Sequence, residues 1–530
     1  MEDPRIRRAI ISLTDKTGVV EFARSLSEEF DVEIISTGGT ARVLQDAGIP
    51  VTPIEEYTGF PEMMDGRVKT LHPRVHGGLL ARRDLESHMQ DARENGIDMI
   101  DMIVVNLYAF EATVAKTGVT FEEAIEHIDI GGPSMLRSAA KNFASVAVVT
   151  DPTSYLDILR EMRENKGALS LRTRKQLALE VFRITSAYDN AIFTWMDSKI
   201  NGDERFQPEK RLFLSKAADL RYGENPHQHA AFYRMPLVGK EAEGSKFMLA
   251  NARKFQGKPL SYTNYLDLDA AWAAVREFGS DRPACVIVKH LTPCGIAVAE
   301  DAVTAYQHAF ECDSVSAFGG VMAFNCEVNR AVAERVIHEN KQFIEAVIAP
   351  GYTDAALEVF TEKPNARIIM TGGMNPVGRR TEYRTVEGGI LAQDFDVVAE
   401  EPENFTVPTK RKPSAEEKAE MLFAWKAVKA VKSNAIVITK DNRTVGIGAG
   451  QPNRVNSAVI ACKQAGAAAK GAVAASDAFM PFPDSLEALI EAGVTAVIQP
   501  GGSIRDDLCI EAADKAGVAL WFTGYRHFRH

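Results

Sequence analysis

The sequence is poor in the features that mark disulfide-stapled, zinc-binding and membrane-spanning proteins. Its 530 residues include six cysteines, and no two of them form a C-x-x-C pair. The pattern therefore predicts neither a disulfide framework nor a thiolate zinc site. No apolar run approaches the ~20 residues of a membrane span, and the opening stretch MEDPRIRRAI carries charge where a signal peptide needs apolar residues. These absences predict a cytoplasmic protein with reduced cysteines and no membrane partner.

An excess of positive charge is also missing. Sixty-one Lys and Arg stand against 72 Asp and Glu, for a net charge of -11, which opposes broad binding to nucleic acid. A hydrophobic content of 45% and a charged content of 25% are ordinary for a globular protein. The length predicts two or more domains. We therefore expect small-molecule ligands, with local basic pockets available for phosphates.

Alternating β-branched runs and amphipathic stretches predict an α/β protein. RAIISL, VEIIST and DMIVVNLYAF have the character of strands, whereas KTGVVEFARSLSEEF and TARVLQDAG have apolar residues at helical spacing. A parallel sheet with crossover helices follows from this order. The polar stretch at 196–210 lacks either apolar period and predicts a boundary between residues 1–200 and residues 201–530. The second part is also α/β and is long enough for two subdomains.

Two polar turns in the first part predict a phosphate site. SLTDKTG follows the first strand, and STGGTA joins the second strand to its helix. Small residues and the N–H groups of a helix N-terminus suit a phosphate, and both turns fall on the carboxyl edge of a parallel sheet. The alternative is an ordinary tight turn in which Thr40 caps the helix. The residues concerned are Ser12, Lys16, Thr37, Gly38, Gly39 and Thr40.

A second group of donors lies in the loop-like segment GRVKTLHPRVHGG, residues 66–78. Such density of donors without acidic residues indicates an anionic ligand. Its two histidines lack a cysteine or carboxylate at ligand spacing, so a metal is not favoured. Arg137 and Lys141, four residues apart after the IDIGGPS turn, share a helix face and suit an anion or form an ordinary exposed pair.

In the second part, VIVKHLTPCG puts Lys289 beside His290 directly after an apolar run. The two are an acid/base pair, half of a metal site, or neither. Zinc nucleotide deaminases need H-x-E and P-C-x-x-C. None of the 11 histidines begins H-x-E, and no second cysteine follows Cys294 at that spacing. Zinc is therefore not favoured, although stoichiometric zinc would overturn this interpretation.

Glycine-rich segments such as CDSVSAFGG and GIGAGQPNR predict turns after apolar runs, with backbone donors exposed. GIGAG matches only half of a dinucleotide fingerprint, which argues against a nicotinamide cofactor.

Taken together, a set of segments that covers nearly the whole chain in order resembles the family of bifunctional purine biosynthesis proteins. That family joins phosphoribosylaminoimidazolecarboxamide formyltransferase to IMP cyclohydrolase. The resemblance implies a methylglyoxal synthase-like domain at 1–200, two cytidine deaminase-like subdomains without catalytic zinc at 201–530, and a homodimer with shared transformylase sites. The segments are DKTG, STGGTA, GFPEMMDGRVKTLHP, NLYAF, IDIGGPSMLRSAAKN, LRYGENPHQ, VKHLTPCG, SAFGG, SNAIV, GIGAGQPNR, DAFMPFPD and PGGSIRD.

For the second domain, the resemblance implies formyl transfer from 10-formyltetrahydrofolate to the 5-amino group of the imidazole carboxamide ribonucleotide, without a catalytic metal. His290 would handle the proton, and Lys289 would stabilise the oxyanion or protonate the leaving folate nitrogen. Asn434 would hold His290 and the amine in register. Substrate-binding positions carried over from the family motifs are Arg221, Tyr222, Phe318, Gly319, Glu345, Arg454, Phe479 and Arg526.

For the first domain, the resemblance implies closure of the formylated nucleotide to IMP with loss of water, a reaction that needs positioning and proton transfer. The two polar turns and Arg67 would bind the phosphate. The residues around the base would be Lys69, Thr70, Asn106, Tyr108, Asp129 and Lys141, with Lys141, Asp129 and Tyr108 as the main choices for proton transfer. The alternative is a ligand-sensing module at 1–150, which has no need of Lys69, Tyr108, Asp129 and Lys141 together.

Overall fold

The computed structural model describes residues 3–64, 66–116, 118–202, 206, 208–235, 245–375, 380–397 and 401–530. The chain divides into two units, Met1–Phe213 and Leu214–His530, so the first unit ends beyond residue 200. Both units combine helices and strands, which confirms the α/β class. Within the described ranges, no helix has both the length and the apolar character needed to cross a membrane.

The first unit is built on a five-stranded parallel sheet with the strand order β3-β2-β1-β4-β5. The predicted parallel sheet is therefore confirmed. All strands end on the same edge, and the order reverses between β1 and β4, which is where open α/β sheets bind ligands. The strands are β1 Arg8–Ser12, β2 Glu33–Ser36, β3 Thr52–Pro53, β4 Met102–Val105 and β5 Ala147–Val149.

Helices cover both faces of this sheet. On one face the apolar side of α1 packs with α9, where the rings of Phe22 and Tyr155 stack 4.2 Å apart. On the other face α4, α8 and α10 bury a second apolar cluster. The helices are α1 Val19–Phe30, α2 Gly38–Asp46, α3 Ile54–Thr58, α4 Pro73–Leu80, α5 Glu86–Glu94, α6 Phe110–Val114, α7 Phe121–Glu126, α8 Gly131–Lys141, α9 Tyr155–Glu164 and α10 Leu171–Ile200.

Two local predictions for this unit are wrong. The strand predicted over DMIVVNLYAF ends at Val105, and Phe110 begins α6 because its ring packs edge-on against Tyr188 and Trp195 of α10. The second half of the segment predicted as a loop at 66–78 is helix α4. His72 caps that helix through Nδ1, and a proline at the first helical position supports its start.

The second unit is dominated by an eleven-stranded mixed sheet in the order β20-β19-β18-β16-β17-β10-β9-β11-β12-β13-β8, beside two separate hairpins. The hairpins are β6 Ser215–Asp219 with β7 Ala231–Arg234, and β14 Thr381–Val386 with β15 Gly389–Asp394. The strands of the large sheet are β8 Arg253–Gln256, β9 Ala284–Lys289, β10 Thr292–Val298, β11 Gly320–Phe324, β12 Ile344–Ala349, β13 Arg367–Met370, β16 Ile436–Lys440, β17 Arg443–Gly448, β18 Val473–Ser476, β19 Ala496–Gln499 and β20 Ala519–Phe522.

The same succession of elements occurs twice in this unit. A helix, a β-hairpin and three further helix–strand pairs form a first repeat at 262–370 and a second repeat at 415–522. The helices of the first repeat are α11 Tyr262–Arg276, α12 Ala302–Cys312, α13 Arg330–Glu334 and α14 Asp354–Phe360. Those of the second are α15 Ala415–Lys429, α16 Arg454–Ala465, α17 Asp484–Glu491 and α18 Asp506–Ala516.

The two repeats meet where β10 pairs with β17 in antiparallel fashion. This join reverses the second repeat, so that β9 and β16 run in opposite directions. As a result the end of β9, the start of β16 and the end of β18 all lie on one edge of the large sheet. We call this the shared edge. One apolar cluster spans both repeats on one face of the sheet, and each repeat has its own cluster on the other face.

The segment GIGAGQPNR was predicted as a turn, and this prediction is wrong for its first three residues, which end β17, whereas TPCG, for which no turn was predicted, begins β10. Residues 292–298 form β10, and residues 443–448 form β17. A Cβ on Gly295 would collide with the carbonyl oxygen of Ala309, and one on Gly446 with that of Ala461. These glycines therefore let α12 and α16 pack directly on the central strands.

All six cysteines are unpaired. Burial raises the pKa of Cys294 and Cys312 to about 12, and that of Cys326, Cys462 and Cys509 to about 11. Thiols of this kind are inert at neutral pH.

The join between the repeats depends on one buried hydroxyl. Thr444 is 1% exposed, and its Oγ1 accepts from Ile296 N at 2.9 Å and donates to Ile296 O at 3.3 Å. We expect Thr444→Val to lower the free energy of unfolding by about 1–3 kcal/mol, because it leaves a buried N–H without an acceptor. Urea titration measures the change. Thr444→Ser, which keeps the hydroxyl, should lose much less, and equal losses would contradict this account.

Candidate active sites

In the first unit, a cavity of about 780 Å³ opens at the carboxyl edge of the parallel sheet. It lies at the reversal of strand order, as the sequence predicts for the two polar turns. Of the residues predicted for this domain, those that line it are Ser12, Lys16, Thr37, Gly38, Gly39, Thr40, Arg67, Lys69, Thr70, Asn106, Tyr108 and Asp129.

The polar side chains that follow β1 and β2 mostly form hydrogen bonds within the protein. Ser12 Oγ and Thr37 Oγ1 are 2.7 Å apart, and Thr40 Oγ1 both accepts from and donates to the backbone of Leu13 at 3.0 Å. Thr40 is thus not the helix cap, since α2 already begins at Gly38. A Cβ on Gly39 would meet nothing within 4 Å. An anion could therefore bind in the open space at the N-terminus of α2.

Asn106 serves the first of these turns in the same way. Its Oδ1 accepts from Thr14 N at 2.7 Å and from Asp15 N at 3.2 Å, and its Nδ2 donates to Asp15 O at 2.8 Å. Asn106, which we predicted to lie beside the base, lines the cavity, and its amide also holds the turn after β1.

Two of the three cations that line the cavity have carboxylate partners, and the third, Lys16, donates from Nζ to Thr14 O at 3.3 Å. Lys69 Nζ pairs with Glu62 and lies 3.9 Å from Glu55, close above Gly38. Arg67 pairs with Glu126 at an exposed position. A phosphate at the helix N-terminus would therefore meet positive charge that is already oriented towards the cavity.

Asp129 is placed by a residue that sequence reasoning missed. Its backbone N donates to the hydroxyl of Tyr188, on α10, at 2.8 Å, and its Oδ1 accepts from Gly132 N at 2.8 Å. Burial raises the pKa of Asp129, although the backbone N–H groups of Gly132 and Tyr108 oppose this shift. An acid with a raised pKa is suited to proton transfer. Nothing in the local pattern SAYDNA signalled Tyr188.

The structure does not bring Lys141 to this cavity. Thr70 is buried against Gly131 at the start of α8, whereas Lys141 is the last residue of that helix and is exposed. Ten residues of helix separate the two ends by about 15 Å. Arg137, on the same helix, lies over the ring of Phe182 at 5.5 Å from its centroid.

In the second unit, Lys289 ends β9 at the shared edge, and His290 and Leu291 form the two-residue turn that joins β9 to β10. His290 has φ 54° and Leu291 has φ 66°. Two left-handed residues are typical of the type I′ turns that suit hairpin twist, but for residues other than glycine each costs about 1–3 kcal/mol. The His290 side chain is exposed, and Lys289 Nζ donates to Phe318 O at 2.8 Å.

Carboxylates stand behind this turn. Asp267, on α11, accepts from Leu291 N at 2.7 Å. Burial raises the pKa of Asp267, and the turn amides and His290 oppose that shift. Glu345 is near enough to act on the same carboxyl, and it pairs with Arg367. Asp267 of α11 and Glu345 of β12 thus lie behind the turn that carries the exposed His290.

The remaining residues predicted near His290 lie beside it or beside α11. Tyr222 O accepts from Tyr262 N, at the start of α11, at 3.3 Å, and the Arg221 guanidinium lies 5.4 Å from the centre of the Tyr222 ring. Gly319 N donates to Phe343 O at 2.7 Å. The side chain of the preceding residue, Phe318, is 58% exposed. We call the set Lys289, His290, Phe318, Glu345, Arg221 and Tyr222 the turn cluster.

A second group, the arginine cluster, lies further along the shared edge. Arg454 NH2 donates to Asn434 Oδ1 at 2.7 Å, its NH1 pairs with the fully buried Asp477, and Asn434 Nδ2 donates to Gln451 O at 2.8 Å. Arg454 therefore orients Asn434 and is itself held by the protein. A cavity of about 430 Å³ is lined by Asn434, Arg454, Phe479 and Arg526 among others.

The two clusters lie on the same edge, but His290 and Asn434, which were predicted to act together, are not in contact within one chain. Between β9 and β16 stand β10 and β17, so His290 and Asn434 are separated by three interstrand spacings, about 14 Å. Within one chain Asn434 therefore contacts Arg454 rather than His290. Among the described residues, no group of three or more His, Cys, Asp or Glu side chains could hold a metal ion.

Comparison with known proteins gives the following matches. A family profile described as "AICARFT/IMPCHase bienzyme" matches residues 139–464, more than half of the chain. A profile described as "MGS-like domain" matches residues 18–134, which confirms the methylglyoxal synthase-like fold predicted for the N-terminal domain. A solved structure titled "Crystal structure of ForH" is 35% identical over 37% of this chain and 98% of its own, with a TM-score of 0.34.

The buried pair of the arginine cluster can be tested for its contribution to stability. We expect Arg454→Met to lower the free energy of unfolding by about 3–5 kcal/mol, because the buried Asp477 then lacks its counter-charge. Adding Asp477→Asn removes that charge and should recover most of the loss, as measured by chemical denaturation. A double variant as unstable as the single one would contradict a simple charge-pair account.

Proposed function

Because the chain belongs to the AICARFT/IMPCHase bienzyme family, which joins a formyltransferase to a cyclohydrolase of purine biosynthesis, we propose that it catalyses two consecutive steps. The first transfers the formyl group of 10-formyltetrahydrofolate to the 5-amino group of the aminoimidazole carboxamide ribonucleotide, AICAR. The second closes the formylated product to IMP. The observation that carries the proposal is the exposed His290 on a strained turn, directly after the half-buried Lys289, within this family's sequence.

Formyl transfer needs help at both reacting atoms. The amine of AICAR is a poor nucleophile because its lone pair is delocalised into the ring, so a base must take its proton as attack proceeds. His290 is exposed at the shared edge and is suited to this role. Lys289, held towards Phe318 O, supplies positive charge to the oxyanion on the formyl carbon or protonates the folate nitrogen that leaves.

The proposed transformylase site needs the arginine cluster of a second copy of the chain. Asn434 and His290 are too far apart in one chain to bind the same amine. We propose a homodimer in which the turn cluster of one protomer faces the arginine cluster of its partner. Arg526 would bind the nucleotide phosphate, and Phe479 would contact the base or the folate.

The cavity of the first unit supports ring closure. Attack of the carboxamide nitrogen on the formyl carbon is intramolecular, so a site that fixes the nucleotide and moves protons suffices. The phosphate would lie at the N-terminus of α2 with Lys69 and Arg67 nearby. Asp129 and Tyr108 would move protons at the base. Lys141 stays a prediction from the family motif, and a second copy of the chain would have to bring it to the cavity.

A ligand-sensing role for residues 1–150 is the competing proposal. It would require the phosphate corner but not the acidic and phenolic groups on the far side of the cavity. The half-buried Asp129 with its raised pKa favours catalysis over sensing, because a binding site gains nothing from a carboxylate that is costly to ionise.

The direct test is the nucleotide product. Purified protein incubated with 10-formyltetrahydrofolate and AICAR should yield IMP, identified by mass spectrometry. We expect His290→Ala to reduce formyl transfer by about 100-fold or more while ring closure of supplied formyl-AICAR continues. Asp441→Ala, at the corresponding turn of the second repeat, is the matched control and should retain both activities. Transfer that survives in His290→Ala would exclude His290 as the base.

Tyr188 provides a test of the ring-closing site alone. Tyr188→Phe removes the acceptor for Asp129 N, and we expect kcat for ring closure to fall by about fivefold to tenfold, since one hydrogen bond contributes about 1 kcal/mol. Tyr57→Phe removes a hydroxyl that donates to Asp98 O, away from the cavity, and should leave ring closure unchanged. Equal effects of the two variants would point to general destabilisation.

A further inference from the structure

The hairpin turn that carries His290 has a counterpart in the second repeat. β16 and β17 are joined by Asp441 and Asn442, with φ 57° and φ 54°. Both turns therefore hold two consecutive residues in the left-handed region, although neither contains glycine. Such a conformation persists only when the surroundings stabilise it.

The stabilising group is the same in both repeats. Asp267 is the sixth residue of α11 and accepts from Leu291 N at 2.7 Å. Glu420 is the sixth residue of α15 and accepts from Asn442 N at 2.8 Å. Each helix has 15 residues and begins with a capping box, so the two carboxylates occupy corresponding positions.

The two turns differ in what they present. The first lies at the shared edge and carries Lys289 and His290 beside Phe318. The second lies at the opposite edge, because β16 runs antiparallel to β9, and its Lys440 Nζ donates to Lys470 O at 3.0 Å. The carboxylate stabilises the fold of both turns, but only Asp267 stands behind residues that we assign to chemistry.

We propose that Asp267 is a positioning residue for formyl transfer, holding the turn so that the imidazole of His290 and the ammonium of Lys289 meet the reacting atoms. This inference rests on the proposed function. A hydrogen bond to a charged acceptor is strong enough to offset the left-handed turn. Loss of the bond lets the turn relax, and a displacement of about 1 Å at a reacting group reduces the rate by about 100-fold.

The negative charge of Asp267 contributes in addition to its hydrogen bond to the turn. The Asp267 carboxyl is close enough to His290 for the two to interact electrostatically. When His290 takes the proton of the amine, a nearby carboxylate stabilises the imidazolium that forms, as the acid of a catalytic triad does. The effect appears in the transition state and not in binding, so it should change kcat rather than KM.

The experiment compares matched pairs of variants in the full-length protein. Asp267→Asn and Asp267→Ala are set against Glu420→Gln and Glu420→Ala, with thermal unfolding, formyl transfer and ring closure measured for each. We expect the Asp267 variants to lose about 10-fold to 100-fold in kcat for formyl transfer, with KM for both substrates and ring closure unchanged. The Glu420 variants should lose similar stability and keep kcat.

Several results would overturn the inference. Asp267→Ala with wild-type kcat, a rise in KM at constant kcat, or an equal loss of kcat in Glu420→Ala would each show that the carboxylate serves the fold alone. Where the alanine variant does not fold, the isosteric asparagine variant decides by the same criteria. A wild-type protein without formyl transfer would instead overturn the proposed function, together with this inference.

Discussion

The antiparallel pairing of β10 with β17 is the constraint on which the second unit depends. Few backbone hydrogen bonds make this join, and the buried hydroxyl of Thr444 adds two more. Because the pairing reverses one repeat relative to the other, the hairpin turn of the first repeat and the opening residues of β16 come to the same edge. A parallel join would have put them on opposite edges, with no common site.

The repeats consequently contribute different parts of the same architecture. The first repeat offers its hairpin turn, with the imidazole of His290 on strained backbone and the ammonium of Lys289 directly before it. The second offers the opposite end of its strands, where the Arg454–Asp477 pair orients an amide. Both repeats have a helix carboxylate behind the hairpin turn, so this contact belongs to the fold, and it has the proposed second role only where His290 lies in the turn. The repeated architecture forms the frame, and the side chains at one edge provide the proposed chemistry.

Patterns local in the chain were predictable, and relations between distant segments were not. Apolar runs gave most strands, and turn chemistry located the cavity that Ser12, Gly38 and Lys69 line. The glycines of β17 were wrongly assigned to a turn, because they are required by a helix packed on the strand, and no local pattern records that contact. Asp267 and Tyr188 were missed for the same reason: each acts through a backbone N–H that belongs to a remote segment.

In both units, the polar side chains nearest to the proposed ligands mostly bind the protein itself. Thr40 holds Leu13, Asn106 holds the turn after β1, and Arg454 holds Asn434. The groups left for a ligand include helix N–H groups, a few cations, the imidazole of His290, and the carboxyl of Asp129 and hydroxyl of Tyr108. Preorganisation of this kind lowers the entropy lost on binding, because the protein fixes its donors before the ligand arrives. Loss of one of these three contacts should therefore resemble a binding defect, whereas loss of Asp267, which holds groups assigned to the reaction, should lower kcat.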